Sequence, residues 1–167
     1  MTITADHLHA LAEGYTNAWN SGRPEAVASF FSSEGMITIN AGEPWRGRTG
    51  VAAMAAGFFA DVPDMTLVCD GARASGAHAV YLWTFTGTHA VSKRQLTISG
   101  WEEWDVSDAA LIERSSGNFD AEEYTCDLRE DQAAVANVKQ GVERQHGIEG
   151  PRLKGQGIVQ IRSDSGE

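Results

Sequence analysis

The chain reads as an α+β domain in which helices come first and a curved, mostly antiparallel sheet follows. Three observations point there. Apolar residues recur every three or four positions in two N-terminal segments, the period falls toward two after Pro63, and too few helices separate the later strands for a parallel sheet.

From Thr4 to Ser21 the residues Leu8, Leu11, Ala12, Tyr15, Ala18 and Trp19 fall on one helical stripe. Thr4 and Asp6 are both suited to cap its start, and Ser21-Gly22 to end it. Pro24 fits the first turn of a short second helix ending near Phe31, where its missing N–H has no partner to lose. Met36, Thr38 and Asn40 then alternate with Ile37, Ile39 and Ala41 in a short strand, followed by the turn-rich GEPWRGRTG. A third helical stripe runs through Val51, Met54, Ala55, Phe58 and Phe59 and stops at Pro63. Strands are expected near 65–75, 78–88, 95–106 and 110–119, close enough together for an antiparallel meander. Asp120-Ala-Glu-Glu-Tyr begins a short helix whose acidic first turn suits the positive helix end.

Residues 1–140 are read as the domain and 141–167 as a glycine-rich C-terminal extension. Gly141, Gly147, Gly150, Gly155, Gly157 and Pro151 make poor helix and cost much ordering entropy unless something packs on them. The extension is either a loose tail or an arm laid over the domain or a partner subunit; Ile158-Val159-Gln160-Ile161 favours some extended order.

At 167 residues the chain is long enough to bury a self-standing core. Its formal charge of -10 disfavours nucleic acid and anionic membrane as partners. The N-terminus carries neither a basic leader nor a continuous apolar run, and no stretch approaches the roughly 20 apolar residues of a membrane span. Cys69 and Cys126 match no zinc or CxxC spacing, so a reducing, cytoplasmic compartment is expected. No histidine pair has a compact metal-ligand spacing, and phosphate-loop and GxSxG signatures are absent. No metal or other cofactor is therefore expected.

YTNAWNSG at 15–22, FFSSEGMITIN at 30–40, WTFTGTH at 83–89, GWEEW at 100–104 and GNFDAEEYTCDLRE at 117–130 occur in an order that resembles the NTF2-like superfamily in its SnoaL-like, polyketide-cyclase-like branch. The resemblance spans about residues 6 to 130. It implies a cone in which a strongly bent sheet wraps around the helices and leaves an apolar cavity open at one end. It also implies homodimers formed through the outer sheet face, and either cyclases, isomerases, epoxide hydrolases and dehydratases of small hydrophobic molecules or domains without catalysis. Fold membership alone names no reaction.

Asp120 matches the position of an aspartate that, in the polyketide cyclases, resembles the acid/base group moving a proton on the substrate. Such a role needs an apolar surround that lifts its pKa; an Asp before AEEY is equally suited to cap a helix. Arg114, Ser116 and Asn118 share strand parity with Asp120. In a regular strand they form one polar line, able to hold an oxygenated ligand if it faces the cone's interior and an ordinary wet face if it does not. Tyr81, Trp83 and Phe85 share another face, suited to core, dimer contact or cavity wall. Tyr15 and Trp19 lie one helical turn apart. Trp19, Phe58 and Trp83 are the expected apolar lining, with Tyr15 a hydrogen-bond donor. Trp101 is a further binding candidate, opposite in parity to Trp104 unless Gly100 bulges. Of Glu102 and Glu103, alternate exposure permits one to be functional. His89 is expected to form a turn.

The reading that follows is cofactor-independent proton transfer on a small, apolar, oxygenated molecule, with Asp120 as acid/base and Arg114 and Asn118 orienting an oxygen. The alternative is a noncatalytic ligand-binding or dimeric interaction domain, with Asp120 only capping its helix.

Overall fold

In the computed structural model, which describes residues 2–121 and 124, the chain begins with helix α1 (Ala5–Asn20). Thr4 caps it, its side chain accepting the backbone N–H of His7 at 3.3 Å. Gly22 turns the chain away in the left-handed region at φ +66°, which costs a residue without Cβ little. The six stripe residues from Leu8 to Trp19 are all buried. Helix α2 (Pro24–Ala28) is a single turn started by Pro24, and it ends before Phe31 because Phe31 is already the buried first residue of strand β1 (Phe31–Ile39).

β1 is longer than its Met36–Ala41 alternation suggests at the front and shorter at the back. Asn40 and Ala41 take left-handed φ of 49° and 55°, which no extended strand tolerates. That turn leads to a two-residue strand, β2 (Trp45–Arg46), paired antiparallel to β1, and then directly into helix α3 (Gly47–Asp61). Val51, Met54 and Ala55 form the buried face of α3, and buried Val62 ends it just before Pro63.

Strands β3 (Thr66–Ser75), β4 (His78–Thr88), β5 (Gln95–Val106) and β6 (Ile112–Phe119) form an antiparallel meander. β1 then lies parallel beside β6, so the six strands run in the order β2-β1-β6-β5-β4-β3. The sheet is curved and wraps the helices, an α+β fold of the NTF2-like kind.

Strand periodicity decides what faces the helices. Along β4, Ala79, Tyr81, Trp83 and Phe85 are buried while Leu82 and Thr86 are exposed. The aromatic face of β4 is therefore buried within the protomer. Along β5, Leu96, Ile98, Glu102, Trp104 and Val106 point inward, and Trp101 points out. Gly100 shares the inward parity and keeps the strand unbroken: Trp83 pairs with it, and a Cβ there would lie 2.6 Å from the Trp83 indole and 2.5 Å from the Asn118 carbonyl oxygen.

On β6 a register shift separates the Asp105–Arg114 pair from Val106–Ile112. Ile112 is buried before the shift, whereas Ser115 and Gly117 are buried after it. The inward parity changes within the strand. Beyond β6, the Tyr124 N–H donates to the Asp120 carbonyl at 3.3 Å, closing one turn. Cys126 and the 141–167 extension lie outside the described residues. Among the described residues no helix is long and apolar enough to cross a membrane.

Candidate functional site

GWEEW places two carboxylates side by side on β5, and pleating sends them to opposite faces. Glu103 is exposed; Glu102 is buried, 5 % accessible, among aromatic rings. A carboxylate so placed is costly unless donors surround it. Ser115 on β6 donates to its Oε2 at 2.7 Å and the Trp104 indole at 2.8 Å. The Tyr15 hydroxyl, rising from α1, lies 3.2 Å from Oε2 and 3.3 Å from Oε1. Three donors thus converge on Oε2, whereas Oε1 shares only the Tyr15 proton and keeps most of its acceptor capacity.

Burial pushes the Glu102 carboxyl above its ordinary pKa, while the bonds from Trp104, Ser115 and Tyr15 pull it back. Burial, reinforced by the nearby Glu102 charge, lifts the Tyr15 hydroxyl well above the usual phenol range. Tyr15 therefore stays protonated and remains a donor. Its ring is held edge-on by Trp104 at 5.2 Å and by Tyr81 at 5.7 Å, with Tyr81 and Trp104 stacked at 4.8 Å.

Glu102 also forms part of the wall of a small, half-open cavity of about 40 Å³. Trp19 from α1, Phe58 from α3, Trp83 and Phe85 from β4 and Phe119 from β6 supply rings; Ile37, Ile39, Met54, Met65, Leu67 and Gly117 complete it. Glu102 is the one ionisable residue among these lining groups. With about 10–15 Å³ needed per water-sized probe, the volume suits roughly three waters or a molecule of a few heavy atoms. The Trp83 indole Nε1 is buried and has no hydrogen-bond partner among the described residues.

The residues singled out from sequence divide into two groups. Trp19, Phe58 and Trp83 line the cavity, and Tyr15 lies behind it as the Glu102 donor. Arg114, Ser116 and Asn118 do share a face, but it is opposite to that of buried Ser115 and Gly117. Asn118 donates to the Ser116 carbonyl at 3.0 Å on that outer side. Asp120 is exposed just past β6 and is not a lining residue. Trp101 lies on the outer face, 43 % accessible. The polar line and the cavity are not brought together. His89 sits in the turn after β4, its Nδ1 accepting the Ser92 N–H at 3.1 Å.

The sequence points to Asp120 as the acid/base, leaves Glu102 and Glu103 as a pair of which one can be functional, and does not reach Ser115 or Trp104 as donors. The available signal was parity: Glu102 is two residues from Trp104 and four from Ile98, both large and apolar-faced, whereas Glu103 keeps step with Ser99 and Trp101.

Comparison with known proteins agrees with this architecture. The sequence profile of the SnoaL-like domain matches residues 12–114, and the chain belongs to that family. Among solved structures it is similar to TsrD from Streptomyces laurentii, at 22% identity and TM-score 0.66, covering 75% of this chain and 97% of that one. It is similar to AclR from Streptomyces galilaeus at 15% identity and TM-score 0.66, over 86% and 99% of the two chains. It also resembles a protein of ketosteroid isomerase-like fold from Catenulispora acidiphila, solved with trimethylamine, at 15% identity and TM-score 0.60 over 64% and 82%. At these identities the likeness concerns the fold. No curated protein matches the sequence at a significant level.

Proposed function

We propose that this SnoaL-like domain is an enzyme that moves a proton on a small, largely apolar, oxygenated molecule, with Glu102 as the group that carries the proton. The observation behind the proposal is a buried carboxylate, held by three donors on one oxygen, in the wall of an otherwise apolar cavity. A base in such a site is stronger than one in water because its charged form is poorly solvated.

The step is a transfer within the cavity. Oε1 takes a proton from a carbon next to a carbonyl; the C–H pair becomes the enolate double bond and the carbonyl oxygen takes the negative charge. Neutral Glu102 then returns the proton: to a different carbon of a conjugated enolate in isomerisation or, where the enolate carbon has closed a ring onto a second carbonyl, to the alkoxide oxygen formed there in cyclisation. Trp19, Phe58 and Phe119 exclude water, Tyr15 and Ser115 hold Oε2 in place, and the step requires no cofactor. In this reading Asp120 lies outside the chemistry.

The test is deuterium incorporation from D₂O into acetone, a ketone of four heavy atoms that matches the small cavity. The wild type is expected to exchange the protons beside the carbonyl faster than buffer, and E102Q to lose about a hundredfold or more of that acceleration. Equal rates in folded E102Q and wild type would leave a binding domain, in which Glu102 only orders the core.

Assembly is proposed as a homodimer through the outer sheet face. Leu82 and Trp101 are cross-strand neighbours there, each 43 % accessible, with Val68 exposed on the same side.

A further inference from the structure

Trp83 and Trp104 both face inward from neighbouring strands, yet their indole N–H groups meet different fates. Trp104 donates to Glu102 at 2.8 Å. Trp83 is 7 % accessible and its Nε1–H, fully buried, meets no acceptor among the described residues. Buried donors in native proteins are nearly always partnered, so an unmet one on a ring that lines the cavity calls for an acceptor.

The ring is held in place around that donor. It stacks on Phe85 at 5.9 Å, tilts against Phe119 at 6.1 Å, and lies over Gly100, where any side chain would strike it. Apart from Glu102, the cavity's lining side chains are phenyl and indole rings, aliphatic chains and thioethers, which offer no good acceptor.

We infer that Trp83 is the specificity-determining residue of the cavity, its Nε1–H anchoring a bare acceptor oxygen, of the carbonyl type, on an uncharged ligand. The ligand class follows from the walls. An anionic group would meet Glu102 with no lysine or arginine among the lining residues to balance it, and Arg114 is on the outer face. The remainder of the ligand must be apolar and small enough for about 40 Å³. This deepens the proton-transfer reading and relies on it only for seating the ligand in this cavity.

The experiment compares acetone with isobutene, the same shape with the oxygen replaced by CH₂, in wild type and W83F. Dissociation constants come from ligand-observed NMR. The ratio of ketone to hydrocarbon affinity is expected to fall about tenfold in W83F. In the wild type, the Trp83 indole N–H proton resonance should move downfield with the ketone and not with the hydrocarbon, a readout that survives if W83F does not fold. An unchanged affinity ratio in folded W83F, a Trp83 resonance indifferent to the ketone, or no ketone binding to the wild type would overturn the assignment. Loss of the ratio in W83F with no deuterium exchange in the wild type would keep the anchor and remove the proton transfer; the reverse pair would do the opposite.

Discussion

The Tyr15 hydroxyl on α1 reaches both carboxylate oxygens of Glu102 on β5, at 3.3 Å and 3.2 Å, across 87 residues of sequence. That bond ties the helical layer to the sheet at the site where a charge is buried. Removing it leaves Glu102 in place with one donor fewer. Y15F is expected to lower stability by about 1–3 kcal/mol, the range for a buried bond to a charged group, measured by urea unfolding. A stability equal to wild type would mean the Tyr15 bond contributes nothing.

Ser115 tests the charge itself. Its hydroxyl favours the ionised form of Glu102, so S115A should raise the carboxyl's pKa further. A base acts when deprotonated; the rising limb of the exchange rate against pH should therefore move to higher pH in S115A. A limb that stays put or moves down would contradict the assignment of Glu102 as the base.

Stability should carry the same signature. Folding raises the Glu102 pKa above its ordinary 4.5, so below that value the carboxyl is protonated in both states and its contribution to stability is fully present. As pH rises from 4.5 through the folded-state value, the unfolded chain ionises more readily and that contribution is lost. Urea unfolding of the wild type against E102Q should show a downward slope across this window in the wild type that the variant lacks. Parallel curves would show that Glu102 is not the group responsible.

Gly100 fixes the Trp83 ring by offering it no side chain. A methyl there meets the indole at 2.6 Å and the Asn118 carbonyl oxygen at 2.5 Å, and the latter cannot yield without breaking the β5–β6 pairing. G100A is expected to cost about 1–3 kcal/mol by overpacking and to weaken ketone binding, both read on one sample by calorimetry. Full stability and unchanged binding would mean the ring does not lie on the glycine.

The outer face predicts assembly. Sedimentation velocity should show a dimer that dissociates when Leu82 and Trp101 are both replaced by serine; a lone monomer across a broad concentration series of the wild type would contradict it.

Much of the fold was legible because its elements obey clean periods. The α1 stripe and the strands at 78–88 and 95–106 need only spacing to be recognised. The front of β1, Ser-Ser-Glu-Gly, lacks strand composition and lies in the register shift between the Phe31–Ile112 and Met36–Arg114 pairs with β6, while the two-residue β2 exists through its pairing with β1. The site was legible in its rings and less so in its polar groups. Parity alone cannot tell which side of a strand is inside, and the register shift near Ile112 reverses the answer within β6, sending Arg114, Ser116 and Asn118 outward and Ser115 in. Glu102 needed the straight run of β5 through Gly100 to be told from Glu103. Its donors come from α1, β5 and β6, a convergence that no local spacing encodes.

The measurement closest to the central claim sets E102Q beside D120N in the same deuterium-exchange assay, after circular dichroism shows both folded. With Glu102 carrying the proton, E102Q loses about a hundredfold or more of the exchange acceleration and D120N stays within about twofold of wild type. Exchange that survives in E102Q and disappears in D120N would contradict the account.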